Sequence, residues 1–236
     1  MLRKPAIKTT IFIMLGLILM ILYGVFFFQR GILFEGTFLR QIKQGEDTAY
    51  QGTVYGESIF IKSGDITNTD SGQIQFQIGD WYDHTFTVNK RYEGYRMDIT
   101  IYENNQLRFD GYYQEGKNGI LFEKNGELAD GILSITVNNE SPFSGDYRIS
   151  NYDIIETLLH RNVILRGNPV LLLFAVILTC IHVVDRKWPL FFFTLRNVIS
   201  VNNPEPSEVY LVIQKFCWHL YPVIIAGLLL AGLFIR

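Results

Sequence analysis

Thr9 to Phe28 (TTIFIMLGLILMILYGVFFF) is a run of twenty residues without a charge. Wound as an α-helix at about 1.5 Å per residue, it covers the ~30 Å hydrocarbon core of a bilayer. A helix that is apolar on every side belongs in lipid or in a large core. The run therefore predicts a membrane span over 9–28, following a short segment, 1–8, that carries Arg3, Lys4 and Lys8. That basic flank also suits a secretory signal, but the apolar run exceeds the roughly 7–15 residues of a signal core. Its exit, Val25-Phe26-Phe27-Phe28-Gln29-Arg30, offers no small-x-small cleavage site. The expectation is an uncleaved signal anchor.

Two further apolar stretches follow. Pro169 to Val184 is sixteen residues, about 24 Å as helix, which is short for a bilayer. Local thinning, or an earlier start near Val163–Leu165 with Arg166 snorkelling, would make up the difference. The span is placed at 167–184. The third runs from Cys217 to Ile235 within a helix expected over 209–235, with Pro222 in its first turns. Pro can kink such a helix without breaking it in lipid. Gly227 and Ala231 form a small-xxx-small pair, a site where another membrane helix can approach. Expected partners are thus the lipid bilayer and a second membrane protein through Gly227 and Ala231.

Charge divides the chain sharply. Glu35 to His160 holds 20 acidic and 10 basic residues, a net −10. The rest holds 3 acidic and 11 basic residues, a net +8. An acidic module with basic membrane flanks is the simplest reading, and it argues against nucleic-acid binding, which needs a basic face. Arg3, Lys4 and Lys8, with Arg186, Lys187, Arg196 and Lys215, favour a cytoplasmic N-terminus and a cytoplasmic loop over 185–208. Residues 35–166 then lie outside the cytoplasm, at the cell membrane of a multi-pass protein. Arg161 and Arg166 pull weakly the other way.

The acidic region reads as antiparallel sheet. Gln73-Ile74-Gln75-Phe76-Gln77-Ile78 alternates strictly, as do Thr85–Val88, Arg96–Tyr102 and Leu133–Val137. Turn chemistry separates them at Asn104-Asn105, Glu115–Gly119 and Lys124–Gly126. Alternation means one wet face and one buried face, and seven to nine short strands predict a sandwich or a small barrel over 35–150. The two cysteines, Cys180 and Cys217, lie outside it, so a hydrophobic core rather than disulfides must hold it. Ile154, Ile155, Leu158, Leu159 and Val163 recur at helical spacing, with Ser150 or Asn151 as cap. They predict a juxtamembrane helix over 151–166 that feeds the second span. The fold class expected is an α+β membrane protein: an all-β extracytoplasmic domain with three transmembrane helices.

Candidate chemistry is sparse. Cys180-Ile181-His182 and Cys217-Trp218-His219 look like paired metal ligands, but residues two apart on a helix point about 200° apart. No metal and no cofactor is expected. Asp65 to Gly72 is rich in oxygen ligands yet lacks the spacing and the closing Glu of a calcium loop, so an Asx-rich turn is the expectation. Only His84 and His160 lie outside the spans, and there is no G-x-S-x-G elbow. No catalytic residue is assigned, and no enzyme is expected. Trp81 and Tyr82, in Gly79-Asp80-Trp81-Tyr82-Asp83-His84, are the binding candidates, because loop aromatics can stack on a sugar or anchor a partner. Trp188 to Phe193, beside Arg186 and Lys187, suits the headgroup region. Ser207 is placed to cap a helix running into the third span.

Trp188, then a short linker, then Glu205-Pro206-Ser207-Glu208 and Tyr210 before the last span resemble an uncharacterised family of small bacterial integral membrane proteins. The resemblance covers about 169–235 and departs at the apolar Phe191–Phe193. It implies a bacterial integral membrane protein and carries no activity. The function expected is a non-catalytic binding or accessory module of the cell envelope. The alternatives are an envelope enzyme acting on lipid or glycan through acidic residues, or an immunity or stress membrane protein.

Overall fold

A computed structural model describes residues 7–45, 47–64, 66, 69–94, 96–114, 119–129, 141–143, 145–197 and 205–235. The chain divides into two compact units, residues 1–29 with 165–236 and residues 30–164. It is an α+β structure of one antiparallel sheet and five helices among the described residues.

In the second unit nine strands follow one another: Arg30–Phe34 (β1), Thr37–Gln44 (β2), Asp47–Val54 (β3), Glu57–Ser63 (β4), Ser71–Ile78 (β5), Tyr82–Glu93 (β6), Arg96–Glu103 (β7), Gln106–Gln114 (β8) and Ile120–Glu123 (β9). Each pairs antiparallel with the next. A two-residue strand, Ile164–Leu165 (β10), sits beside β1, so the order is β10-β1-β2 through to β9. The reason for the meander is local. Phe34 pairs with Thr37, Val54 with Glu57 and Glu103 with Gln106, leaving two-residue loops. Both loop residues have positive φ: Glu35 and Gly36 at 46° and 71°, Tyr55 and Gly56 at 48° and 87°, Asn104 and Asn105 at 50° and 64°. That geometry matches the twist of paired strands and forces sequence neighbours to be sheet neighbours.

The strands form one open sheet, and this corrects the expected sandwich or closed barrel. A second sheet is unnecessary because a helix, Asn151–Leu158 (α2), supplies the opposing apolar surface. Its Ile154, Ile155 and Leu158 join Tyr50, Ile61, Ile74, Phe76, Phe86, Ile99 and Ile101 in a single core. The period-two pattern is realised as read: in β5 Ile74, Phe76 and Ile78 are buried, and in β7 Met97, Ile99 and Ile101. Ile66, within the oxygen-rich turn, plugs the same core, while Asp65, Thr67 and Asn68 lie outside the described residues. The strand expected at Leu133–Val137 and most of the turn at Glu115–Gly119 also lie outside them.

The helix expected over 151–166 is shorter, and it is a core element rather than a feed into the next helix. Ser150 caps it as expected, accepting from the Asp153 N–H at 3.0 Å. It stops at Leu159 because His160 turns to φ 54° and redirects the chain. Polar contacts then tie α2 to the sheet. Tyr113 donates to Glu156, which is only 8% exposed, and Arg161 Nη1 donates to Tyr113 Oη at 3.3 Å. Tyr50 Oη and His160 Nδ1 hydrogen-bond at 3.0 Å. Burial, chiefly, pushes the Tyr50 and Tyr113 hydroxyls up to about 12, so both remain neutral.

The first unit contains Ile7–Phe27 (α1), Pro169–Lys187 (α3), Phe191–Asn197 (α4) and Glu208–Phe234 (α5). Helices α3 and α5 are long and apolar enough to cross a membrane, and a shorter apolar helix is described over Ile13–Phe27. Helix α3 does not begin at Val163–Leu165. It starts at Pro169, where Asn168 caps it by accepting from the Val170 and Leu171 N–H groups, and its 19 residues give about 28 Å. Ser207 caps α5 and Pro222 lies inside it. Tyr23 donates to the Leu229 carbonyl at 3.2 Å, and a Cβ at Gly232 would meet Leu171, Tyr23 and Phe27 at ordinary contact distance. Gly227, of the small-xxx-small pair, faces open space. At the other end of the α3–α5 pair, Asp185 is buried at 6% exposure. It accepts from Gln214 Nε2 at 2.8 Å and from Trp218 Nε1 at 2.5 Å.

Candidate binding pocket at the strand ends

A meander puts alternate turns at opposite ends of its sheet. The β1–β2, β3–β4, β5–β6 and β7–β8 turns therefore share one end, and so do Glu35, Tyr55, Trp81 and Glu103. Phe143 and Tyr147 dock on these turns. Phe143 packs edge-on against Tyr55 at 6.2 Å and lies 6.4 Å from Trp81. Tyr147 donates to Glu35 Oε1 at 2.8 Å and stands edge-on to Tyr82 at 6.2 Å. The positive-φ residues Glu35 and Tyr55 are thus held by side-chain contacts, which offset the cost of the left-handed backbone. Burial first, then the Glu35 carboxylate, raises the Tyr147 hydroxyl far above its usual range, so it stays a donor.

Beside this docking lies a pocket of about 670 Å³ lined by Trp81, Tyr82, His84, Glu103, Arg108 and the 145–148 segment. That is within the roughly 300–1,000 Å³ usual for ligand sites. The two sequence-level candidates have different roles there. Tyr82 is 6% exposed and belongs to the core, stacked on His84 at 4.1 Å. Trp81 is 43% exposed, edge-on to Tyr82 at 5.6 Å, and presents an indole to the pocket. Burial, chiefly, raises the Tyr82 hydroxyl, with Arg108 pulling it down.

Three residues of the pocket wall escaped the sequence reading. His84 is in phase with buried Tyr82 and Phe86 on β6, and Glu103 is in phase with Met97, Ile99 and Ile101 on β7. Polar residues in phase with a buried set are a legible signal. Arg108 is not legible. Ile101 pairs with Phe109 but Tyr102 pairs with Leu107, so Arg108 is the extra residue of a β-bulge. The bulge turns its guanidinium to the side of Phe86, 4.8 Å from that ring.

The three form one chain of contacts. His84 Nδ1 meets Glu103 Oε1 at 2.5 Å, and Arg108 Nη1 donates to Glu103 Oε2 at 3.0 Å. A carboxylate can only accept, so the Nδ1 carries the proton and Nε2 is the ring's other polar atom. Arg108 also donates to Asn151 Oδ1 at 3.0 Å and to the Ile149 carbonyl, fixing the entry to α2. The acid and the base therefore neutralise each other within the pocket wall. Asp146 and Arg148 are both exposed on the facing segment.

The other sequence candidates do not assemble. Cys180 is exposed and Cys217 half-buried, and among the described residues no three His, Cys, Asp or Glu side chains converge as a metal site. His182 stands edge-on to Tyr221 at 5.9 Å. Trp188, Leu190 and Phe191 line an exposed apolar hollow with Lys187 and Leu195. No family model matches the chain, and no curated protein and no solved structure matches it either.

Proposed function

We propose that this is an integral membrane protein of the cell envelope, with α1, α3 and α5 as spans, that displays residues 30–164 outside the cytoplasm as a non-catalytic binding module. The carrying observation is the pocket at the strand ends. It offers an exposed indole beside a wall in which His84, Glu103 and Arg108 are already paired with one another. Such a wall is set up to orient a ligand rather than to transfer protons to it. The orientation rests on the +8 and −10 charge split and the basic residues flanking the spans. A reporter active only outside the cytoplasm should work when fused after Arg236 and fail when fused after Asn202. The reverse pattern would invert the topology.

A photoreactive residue placed at position 81 of the full chain in cells should capture an envelope component. One placed at Arg91, outside the pocket, should not. Equal capture at both positions would remove the pocket from the reading. The close His84–Glu103 pair favours a second reading, an envelope enzyme. Glu103→Gln decides between them: loss of the cellular phenotype with capture at position 81 retained supports the enzyme.

A further inference from the structure

We infer that the ligand of this pocket is a neutral saccharide chain; the inference rests on the binding reading above. The first support is the platform. The Trp81 ring is 43% exposed and is steadied at its edges by Tyr82 at 5.6 Å and Phe143 at 6.4 Å. An amphipathic ring held rigid in this way stacks on the C–H face of a sugar with little ordering cost.

The second support is the polar set around it. Arg148 offers donors, Asp146 offers acceptors and His84 has one ring nitrogen beyond its bond to Glu103. Sugar hydroxyls donate and accept at once, so a mixed donor–acceptor rim fits them better than it fits a ligand of one charge sign.

The third support is the field. Residues 35–160 carry a net −10, which repels anionic polymers. The pocket's own cation, Arg108, is committed to Glu103, Asn151 and Ile149. Within the pocket a polyanion would therefore meet one exposed guanidinium, Arg148, on an acidic module. The volume, about 670 Å³, admits more than one pyranose ring.

The test uses the full chain in a zwitterionic detergent, because sugar-headed detergents would compete. Probes are short oligomers of glucose, mannose and N-acetylglucosamine, with polygalacturonate as the acidic control. Saturation-transfer NMR and the tryptophan fluorescence that is lost in Trp81→Phe report binding. At least one neutral oligomer should bind saturably. Trp81→Ala should weaken it about tenfold and Arg148→Ala by a smaller factor. Both side chains are exposed, so both variants should retain the native melting curve. Absence of saturable binding by all three neutral oligomers overturns the inference, as does binding indifferent to Trp81→Ala. Tighter binding of polygalacturonate, weakening with salt, also overturns it. If the photoreactive residue at position 81 still captures an envelope protein in those cases, the pocket stands and only the saccharide is lost. If that capture fails as well, the binding reading falls with it.

Discussion

The two units of this protein use the same apolar residue types in opposite ways. In residues 30–164 the apolar side chains turn inward: Ile61, Ile74, Phe76 and Ile155 are essentially inaccessible. In the helical unit they turn outward, with Val212 67% exposed and Phe216 65% exposed. In the first case the hydrophobic effect makes a core. In the second it makes a surface that water would not tolerate at that extent, and on our reading lipid covers it. Each unit buries a carboxylate only where donors meet it: Glu156 accepts from Tyr113 in the sheet unit, and Asp185 accepts from Gln214 and Trp218 in the helical unit. An intramembrane or interfacial carboxylate needs such donors to remain satisfied.

The most severe way to break this contrast is to cut the units apart. A fragment of residues 30–164 should be water-soluble and monomeric, with a β-type circular dichroism spectrum and one cooperative melt. A fragment of 35–150 should not fold, because it lacks β1 and the whole of α2 and so loses Ile32, Ile154, Ile155 and Leu158 from the core. If 35–150 melts cooperatively, α2 is not the element that closes the core.

A smaller effect compares like substitutions in the two units. Ile155→Ala should destabilise the sheet unit by about 2–5 kcal/mol, as deletion of a buried aliphatic group does. Val212→Ala on the exposed face of α5 should cost under about 0.5 kcal/mol in detergent. Denaturant midpoints of the full chain decide, and equal costs would mean that the two surfaces are not different environments.

The smallest effect sharpens the electrostatics of α2. Burial raises the Asp153 carboxyl above its usual value. The Ser150 hydroxyl pulls it back down, while Glu35 and Glu156 add to the rise. A carboxyl raised in the folded state contributes stability that is complete below its unfolded pKa of about 3.9 and is lost as pH climbs through the folded value. Asp153→Asn should therefore melt higher than the native protein at neutral pH, and the gap should close on acidification. A gap that widens on acidification would reverse the sign assigned to burial here.

Legibility followed the range of the interactions. Alternation on β5 and β7 is a local property, and it located the buried face correctly. The positive-φ turns at Glu35-Gly36 and Tyr55-Gly56 were less visible, because Glu and Tyr are uncommon in that conformation and are held there by Tyr147 and Phe143, about ninety to 110 residues later. Whether ten strands close, split or stay open depends on what covers them. The covering element was read as a helix, but its end was not, because nothing in Leu159-His160 announces a left-handed turn. Trp81 and Tyr82 were found as a pair, yet burial separates their roles. Arg108 was out of reach, since alternation assigns it to the wet face and only the bulge reverses that.

The strictly sequential order of β1 to β9 also bears on how the chain is made. Each strand can pair with the one just before it as the chain is synthesised, so no strand has to wait for a distant partner. The sheet's apolar face, however, stays bare until α2 arrives after residue 150. During that interval it is a target for chaperones and for wrong pairing. Synthesis reaches Pro169, where the next apolar helix begins, only eleven residues after α2 ends at Leu158. If that helix is a span, as proposed above, closing the core and delivering the helix to the bilayer fall almost together.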